Sequence, residues 1–160
     1  MIPTVKHGGG SLMVWGGFIG TKVTPLVRID GIMNASYYVN KVINDVVRPW
    51  ARDHCPAGWI FQQDNDPKHK SRLATAFFKR HHFRMLTWPA QSADLSPIEN
   101  LWENIDREVR KARPKNLTEK FAVLADAWSK TDKAALKNLI ESMPRRIQAV
   151  ITARGGMTKY

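Results

Sequence analysis

The stretches FQQDNDPKH at residues 61–69 and WPAQSADLSPIENLW at residues 88–102 place two carboxylates, Asp64 and Glu99, at a defined separation along the chain. The first acid follows a short apolar run, and the second stands at the start of a predicted helix. Carboxylate oxygens are the ligands that hard divalent cations prefer, and such ions assist the cleavage of phosphodiesters. A site of this kind usually needs a third carboxylate. The pattern therefore predicts part of a nuclease metal site.

Local rules offer both acids another role. Asp64 and Asp66 precede Pro67, and acids in that place often accept hydrogen bonds from the free N–H groups of the next helix; Asp66 suits this role better. Ser96 and Glu99 fit the Ser-x-x-Glu capping box, in which the glutamate bonds the N–H of the cap residue. From the residues alone, a ligand role and a capping role stay open for each acid.

Composition favours a nucleic-acid partner. The 160 residues carry 25 Lys and Arg against 14 Asp and Glu, a net charge of +11, and a basic balance of this size is common in proteins that contact polyanions. A solvated basic surface is the other interpretation. Cys55 is the single cysteine, which excludes an intrachain disulfide or thiolate zinc site and fits a reducing compartment. No apolar stretch approaches membrane-spanning length, so we expect no membrane partner and a nuclear location, with the cytoplasm as the alternative.

Hydrophobic periodicity and turn residues predict an α/β layout with a mixed sheet. The predicted elements are strands 12–19, 23–30, 59–63 and 83–88, and helices 34–52, 67–80, 96–111, 117–130, 132–142 and 144–153. Residues 1–113 are expected to form the core, and residues 114–160 a basic helical extension of the same domain. We interpret His69 as either a phosphate contact or a surface histidine beside Lys68 and Arg72, and the pair His81-His82 as structural.

Several segments together resemble the catalytic domain of the Tc/mariner superfamily of cut-and-paste DNA transposases. The likeness runs from about residue 4 to residue 160, and the blocks QDNDPKH and DLSPIENLW at this separation are specific. The segments that carry it are KHGGGSLMVWGGF (6–18), DGIMNASYYVN (30–40), FQQDNDPKHKS (61–71), LTWPAQSADLSPIENLWENI (86–105) and SMPRRIQAVITARGGMTKY (142–160).

This resemblance implies an RNase H-like fold with a triad of acids, two Asp and one Glu, that binds two Mg²⁺ or Mn²⁺ ions. The ions activate water, and later a 3′-hydroxyl, for attack on DNA. Asp64 matches the second aspartate of the family and Glu99 its glutamate. The first aspartate of the family lies further upstream of the second than the residues that precede Asp64 here can reach. Asp30, the nearest upstream acid, is no substitute for it.

The resemblance also implies a first strand that is central in the sheet, and its loss is expected to expose pairing edges. Helix-turn-helix modules that recognise transposon ends are likewise absent from these residues. We therefore expect a truncated RNase H-like core that is inactive alone and binds DNA, a second copy or a full-length transposase. The alternative is a domesticated, non-enzymatic protein that binds DNA or a partner. The expected phosphate contacts are Lys68, His69, Arg72, Arg145 and Arg146.

Overall fold

The computed structural model describes residues 4–6, 11–89, 92, 95–156 and 158. The chain forms two compact units: unit 1 contains residues 29–91, and unit 2 contains residues 2–28 together with residues 92–160. The division at residue 113 that the sequence suggests stays a prediction, since contacts group the chain in another way. Among the described residues, no helix has both the length and the apolar character needed to cross a bilayer.

Short strands occupy the first part of the described chain. They are β1 (Thr4–Lys6), β2 (Ser11–Trp15), β3 (Phe18–Ile19), β4 (Lys22–Val23) and β5 (Val27–Ile29). One sheet has the order β1-β2-β5, with β1 antiparallel to β2, and β3 and β4 form a separate antiparallel hairpin. Residues 20–21 form the turn of this hairpin. The predicted continuous strands 12–19 and 23–30 are wrong, because each is interrupted.

Unit 1 contains one long helical stretch, residues 35–54. It consists of α1 (Ala35–Tyr37), a π-helical segment (Tyr38–Val47) and α2 (Arg48–His54). The π-helical segment ends with the Arg48 N–H donating to the Ile43 carbonyl, five residues back. Its apolar side is buried, which confirms the predicted amphipathic helix; the buried residues are Tyr38, Val39, Val42, Ile43 and Val47.

Asn34 caps this stretch, since its side-chain oxygen accepts from the Tyr37 N–H at 2.8 Å. We expect Asn34→Ala to lower the free energy of unfolding by about 1 kcal/mol, because a helix donor loses its partner. Ser36, two residues later, accepts from the Asn40 amide. Ser36→Ala is the matched control in urea unfolding followed by circular dichroism. An equal loss in both variants would contradict the assignment of the cap.

In place of the predicted strands 59–63 and 83–88, unit 1 has a single bridge between two residues. Phe61 and Met85 form a single parallel bridge, in which the Phe61 N–H donates to the Arg84 carbonyl at 2.7 Å and the Leu86 N–H donates to the Phe61 carbonyl at 2.9 Å. The predicted strands 59–63 and 83–88 are therefore too long, although the chain does pair at both places. This bridge holds Phe61, which precedes Asp64 by three residues.

The helix predicted from residue 67 begins later, as α3 (Arg72–Arg80). Asp66 instead closes a turn, since its side chain accepts from the Lys68 N–H at 2.8 Å and its carbonyl accepts from the His69 N–H at 2.9 Å. Ser71 is the cap of α3 and accepts from the Ala74 N–H at 3.1 Å. The Asx turn and the serine cap together displace the start of the helix toward the C-terminus.

Unit 2 contains the remaining helices, whose predicted bounds are confirmed to within one or two residues. They are α4 (Pro97–Ala112), α5 (Leu117–Ser129), α6 (Lys133–Glu141) and α7 (Met143–Thr152). Apolar residues of β2, α4, α5 and α6 share one core, made of Leu12, Val14, Leu101, Trp102, Ile105, Val109, Leu124, Trp128 and Leu136. Arg113 ends α4 in the left-handed conformation, with φ of 49°.

A pair of glycines explains why β2 and β3 are separate strands. A Cβ on Gly16 would stand 2.6 Å from Cζ2 of the Trp128 indole, so a side chain at this position would overlap the ring. Next to it, the Gly17 N–H donates to Thr24 Oγ1 at 3.0 Å, and the Gly17 carbonyl accepts from the Thr24 N–H at 2.8 Å. The Trp128 Nε1–H then donates to the Thr24 carbonyl at 2.7 Å. The strand breaks where the indole docks.

Candidate active site

Asp64 lies shortly after the bridge residue Phe61, and its side chain is about one-third exposed. Its Oδ1 accepts from His69 Nδ1–H at 2.6 Å and from the Asp66 N–H at 3.1 Å. The hydrogen bond from His69 lowers the pKa of Asp64 well below its ordinary value, although partial burial opposes the shift. Asp64 is therefore an ionised carboxylate at neutral pH with a fixed orientation.

His69 is held by a second layer of contacts within unit 1. Its ring is 6 % exposed and lies 4.2 Å from the ring of Tyr38, centroid to centroid. The Tyr38 hydroxyl donates to Gln63 Oε1, and Gln63 Nε2 donates back to the His69 carbonyl at 3.3 Å. Burial raises the pKa of the Tyr38 hydroxyl, and the negative charges of Asp64 and Asp66 add to the shift. Tyr38, Gln63 and His69 thus form a support for Asp64.

This burial corrects the interpretation of His69 as a surface histidine. It also leaves the ring poorly placed for a phosphate contact, since Nδ1 is used by Asp64 and Nε2 is buried without a partner among the described residues. Lys68 is one-third exposed and pairs with Asp66 at 2.7 Å, and Arg72 is exposed at the start of α3. Lys68 and Arg72 stay candidates for phosphate contacts.

Glu99 lies in the first turn of α4 and is half-buried. Its N–H donates to the Ser96 carbonyl at 3.2 Å, but the Ser96 side chain makes no capping hydrogen bond. The predicted capping box is therefore wrong in one respect: the Ser96 side chain accepts no hydrogen bond from the first turn of α4. A negative side chain in the first helical turn is stabilised by the helix dipole, which keeps Glu99 suitable as an oxygen ligand.

The two arginines predicted as phosphate contacts, Arg145 and Arg146, differ in exposure. Arg146 is 3 % exposed, with its Nε–H donating to Ser142 Oγ at 2.8 Å and a terminal N–H donating to Asn100 Oδ1. Its guanidinium is committed inside unit 2, which corrects the expectation of a phosphate contact. It ties α7 to the residue that follows Glu99, a structural link that sequence reasoning missed. Arg145 is exposed and stays a candidate.

The two acids are of the chemical type that binds a hard divalent cation. Both supply carboxylate oxygen, and the pKa of Asp64 keeps that group charged. Asp64 belongs to unit 1 and Glu99 to unit 2. Within the part of the chain that the structure describes, no group of three or more His, Cys, Asp and Glu side chains is placed to hold a metal ion.

Comparison with protein families places both acids inside one domain type. A profile described as DDE superfamily endonuclease matches residues 19–120. The chain belongs to this family. The chain is also 48 % identical over 159 residues to the Tcb2 transposase of Caenorhabditis briggsae and 49 % identical over 158 residues to the Tc1 transposase of Caenorhabditis elegans. The matches cover 99 % of this chain and 58 % of each relative. The chain thus spans under two-thirds of their length.

Solved structures are similar to the chain in fold. The catalytic domain of Mos1 transposase with raltegravir and Mn superposes with a TM-score of 0.80 at 20 % identity, covering 93 % of this chain and 77 % of that one. The Mos1 mariner paired-end complex with Mn gives 0.85 at 20 % identity, with 98 % and 48 % covered. These matches confirm the predicted RNase H-like α/β fold.

Proposed function

We propose that Asp64 and Glu99 are two of the carboxylates of a metal site that acts on DNA phosphodiesters during transposition. The family match contains both residues. The relatives are transposases of transposable elements, and Mos1 structures contain Mn or Mg. The observation that carries the proposal is the hydrogen bond between His69 and Asp64, because it holds a partly buried carboxylate both ionised and oriented.

In this proposal each residue has a defined task. Asp64 and Glu99 would bind divalent cations through oxygen, and His69 would keep Asp64 Oδ1 in place by donating from Nδ1. The ions, when bound, supply charge stabilisation to the phosphodiester and activate the attacking hydroxyl. Lys68, Arg72 and Arg145 would contact DNA phosphates outside the reacting centre. The site of action would be the nucleus.

The triad of the family needs an aspartate that these 160 residues do not supply at the matching place. We therefore propose that a chain of these residues alone does not transpose DNA and binds Mg²⁺ or Mn²⁺ weakly. Oligomeric assembly is part of the same proposal, because Mos1 forms a paired-end complex. A second copy or a full-length transposase is the expected protein partner.

Manganese titration of the chain, followed by electron paramagnetic resonance of the free ion, tests the assignment. We expect weak binding that is lost in Asp64→Asn and in Glu99→Gln. Asp66→Asn is the matched control, since it removes the same charge from a nearby carboxylate that is paired with Lys68. Binding that survives both site variants would contradict the assignment of the ligands.

A plasmid-nicking assay tests the expected inactivity. Supercoiled DNA incubated with the chain and Mg²⁺ should stay intact. Nicking by the purified chain that disappears in Asp64→Ala would overturn the proposed inactivity while supporting Asp64 as a ligand.

The second candidate is a non-enzymatic DNA-binding or partner-binding protein, favoured by the net charge of +11. Duplex binding that weakens steeply with salt and ignores both Mg²⁺ and Glu99→Gln would support it.

A further inference from the structure

A basic cavity lies in unit 1 among residues that the proposed metal site does not use. Its volume is about 280 Å³. The C-terminal part of the long helical stretch, the segment before the Phe61 bridge and the segment after α3 line it. The basic and aromatic lining residues are Arg48, Arg52, Trp59, His81, His82, Phe83 and Arg84. No Asp or Glu belongs to its lining among the described residues.

The three arginines keep most of their positive charge unneutralised. Arg84 donates from Nη1 to the carbonyl of Gly58 at 2.9 Å, and Arg48 donates from Nη1 to Asn44 Oδ1 at 3.0 Å. Both of these partners are neutral. Arg52 pairs with Asp53 at 3.0 Å through Nε, so its charge is partly neutralised, while its terminal N–H groups remain donors of the guanidinium. These contacts orient guanidinium groups at the cavity and leave donors for an anion.

Two histidines also line the cavity. His81 and His82 follow the last turn of α3, where the helix dipole contributes about half a negative charge. Burial lowers the pKa of His81, and the positive charges of Arg48, Arg80 and His82 lower it further. Positive groups therefore approach His81 from more than one segment, and an incoming anion meets a positive field.

We propose that this cavity binds a phosphate of the DNA backbone, as a contact separate from the residues that hold Asp64. The proposal rests on the proposed function for its ligand, since that function brings DNA to the chain. Guanidinium forks match the oxygens of a phosphate better than a point charge does. The cavity lies at the small end of ligand pockets, which suits one phosphate and its sugar against the half-buried ring of Trp59.

Duplex binding by the chain, measured by fluorescence anisotropy in EDTA over a range of salt concentrations, tests the proposal. Arg48→Gln/Arg52→Gln should weaken binding and reduce the slope of log K against log salt by about 0.9, because both arginines contact the same phosphate and one phosphate contact contributes about 0.9. Lys41→Gln/Lys79→Gln is the matched control, since it removes two exposed charges from helical segments of the same unit, outside the cavity. Its slope should stay near that of the unchanged chain.

Histidine ring resonances of His81 and His82 separate a DNA phosphate from a free phosphate ion. Duplex DNA should shift both rings, and inorganic phosphate at the same phosphate concentration should shift neither. Shifts with inorganic phosphate alone would overturn the proposal in favour of a small-anion site. Equal slopes for the cavity variant and its control, or no duplex binding at all, would also overturn it.

The same experiment separates this proposal from the proposed metal site. If manganese titration rejects Asp64 as a ligand while the cavity variant still reduces the slope, the metal site is wrong and the phosphate contact stands. If the slope does not change while manganese binding depends on Asp64, the reverse holds.

Discussion

Trp128→Ala is expected to lower the free energy of unfolding by about 3 to 5 kcal/mol, the range for removal of a large aromatic ring from a core. Trp128 is 2 % exposed, and its ring stacks on Trp102 at 4.7 Å between centroids. Its indole N–H is also the partner of the Thr24 carbonyl, so alanine removes a hydrogen bond and leaves a cavity. Urea unfolding followed by circular dichroism measures the loss.

Phe121→Ala is the control for this change, because Phe121 lies on the same helix, α5, but is only half-buried. Its expected cost is about 1 kcal/mol, since much of the ring is already in water. If the two variants lose equal stability, Trp128 is not the centre of the core of unit 2.

The contact between Gly16 and Trp128 gives a sharper form of the same prediction. Gly16→Ala should cost about 1 to 3 kcal/mol, because its new methyl group overlaps the indole. Gly17→Ala should cost little, since a Cβ there meets Trp15 at 3.4 Å, an ordinary contact. In a Trp128→Phe background the cost of Gly16→Ala should fall, and a double-mutant cycle measures that coupling. An unchanged cost would contradict the assigned clash.

Helices were predictable from sequence because their signals are local. Spacing of three and four, with prolines at the start of α4 and α7, determined α4 to α7 within one or two residues. Strands depend on partners far along the chain. The break at Gly16 is caused by Trp128, which lies in a much later helix, and no window of periodicity contains both.

The candidate active site also depends on contacts between residues that are far apart in the sequence. Asp64 and Glu99 were found through the resemblance, while local rules left a capping role open for each. Arg146 was expected on the surface because it forms a basic pair with Arg145. Its burial depends on a contact with Asn100, which lies on a different helix. His69 looked exposed beside Lys68 for a similar reason. Its support from Tyr38 comes from an earlier element and becomes visible only when the long helical stretch packs on the turn.

His69→Leu is expected to weaken manganese binding by about 10-fold to 100-fold, the usual cost of removing a group that orients a metal ligand. The same variant should lose about 1.5 kcal/mol of stability without metal. That is the low end for a hydrogen bond to a charged group, because one-third of Asp64 is exposed to screening water. Manganese titration and urea unfolding in EDTA measure the two effects separately.

The variants His69→Asn and His69→Gln separate orientation from packing. An asparagine amide at this position can donate near the place of Nδ1, whereas a glutamine amide reaches toward the place of Nε2. We therefore expect His69→Asn to restore part of the manganese affinity and His69→Gln to restore none. Equal affinity in the two variants would show that His69 fills space and does not position Asp64.

The pH dependence of stability is an independent test of the hydrogen bond between His69 and Asp64. The folded-state pKa of Asp64 lies below its unfolded value, so the stabilisation by His69 is complete above about pH 4, the ordinary value for an aspartate. It is lost as pH falls from there through the folded-state pKa. The stability difference between the unchanged chain and His69→Leu should therefore be constant at neutral pH and narrow below about pH 4. A difference that persists unchanged in acid would mean that His69 stabilises unit 1 by packing alone, with no part in keeping Asp64 ionised.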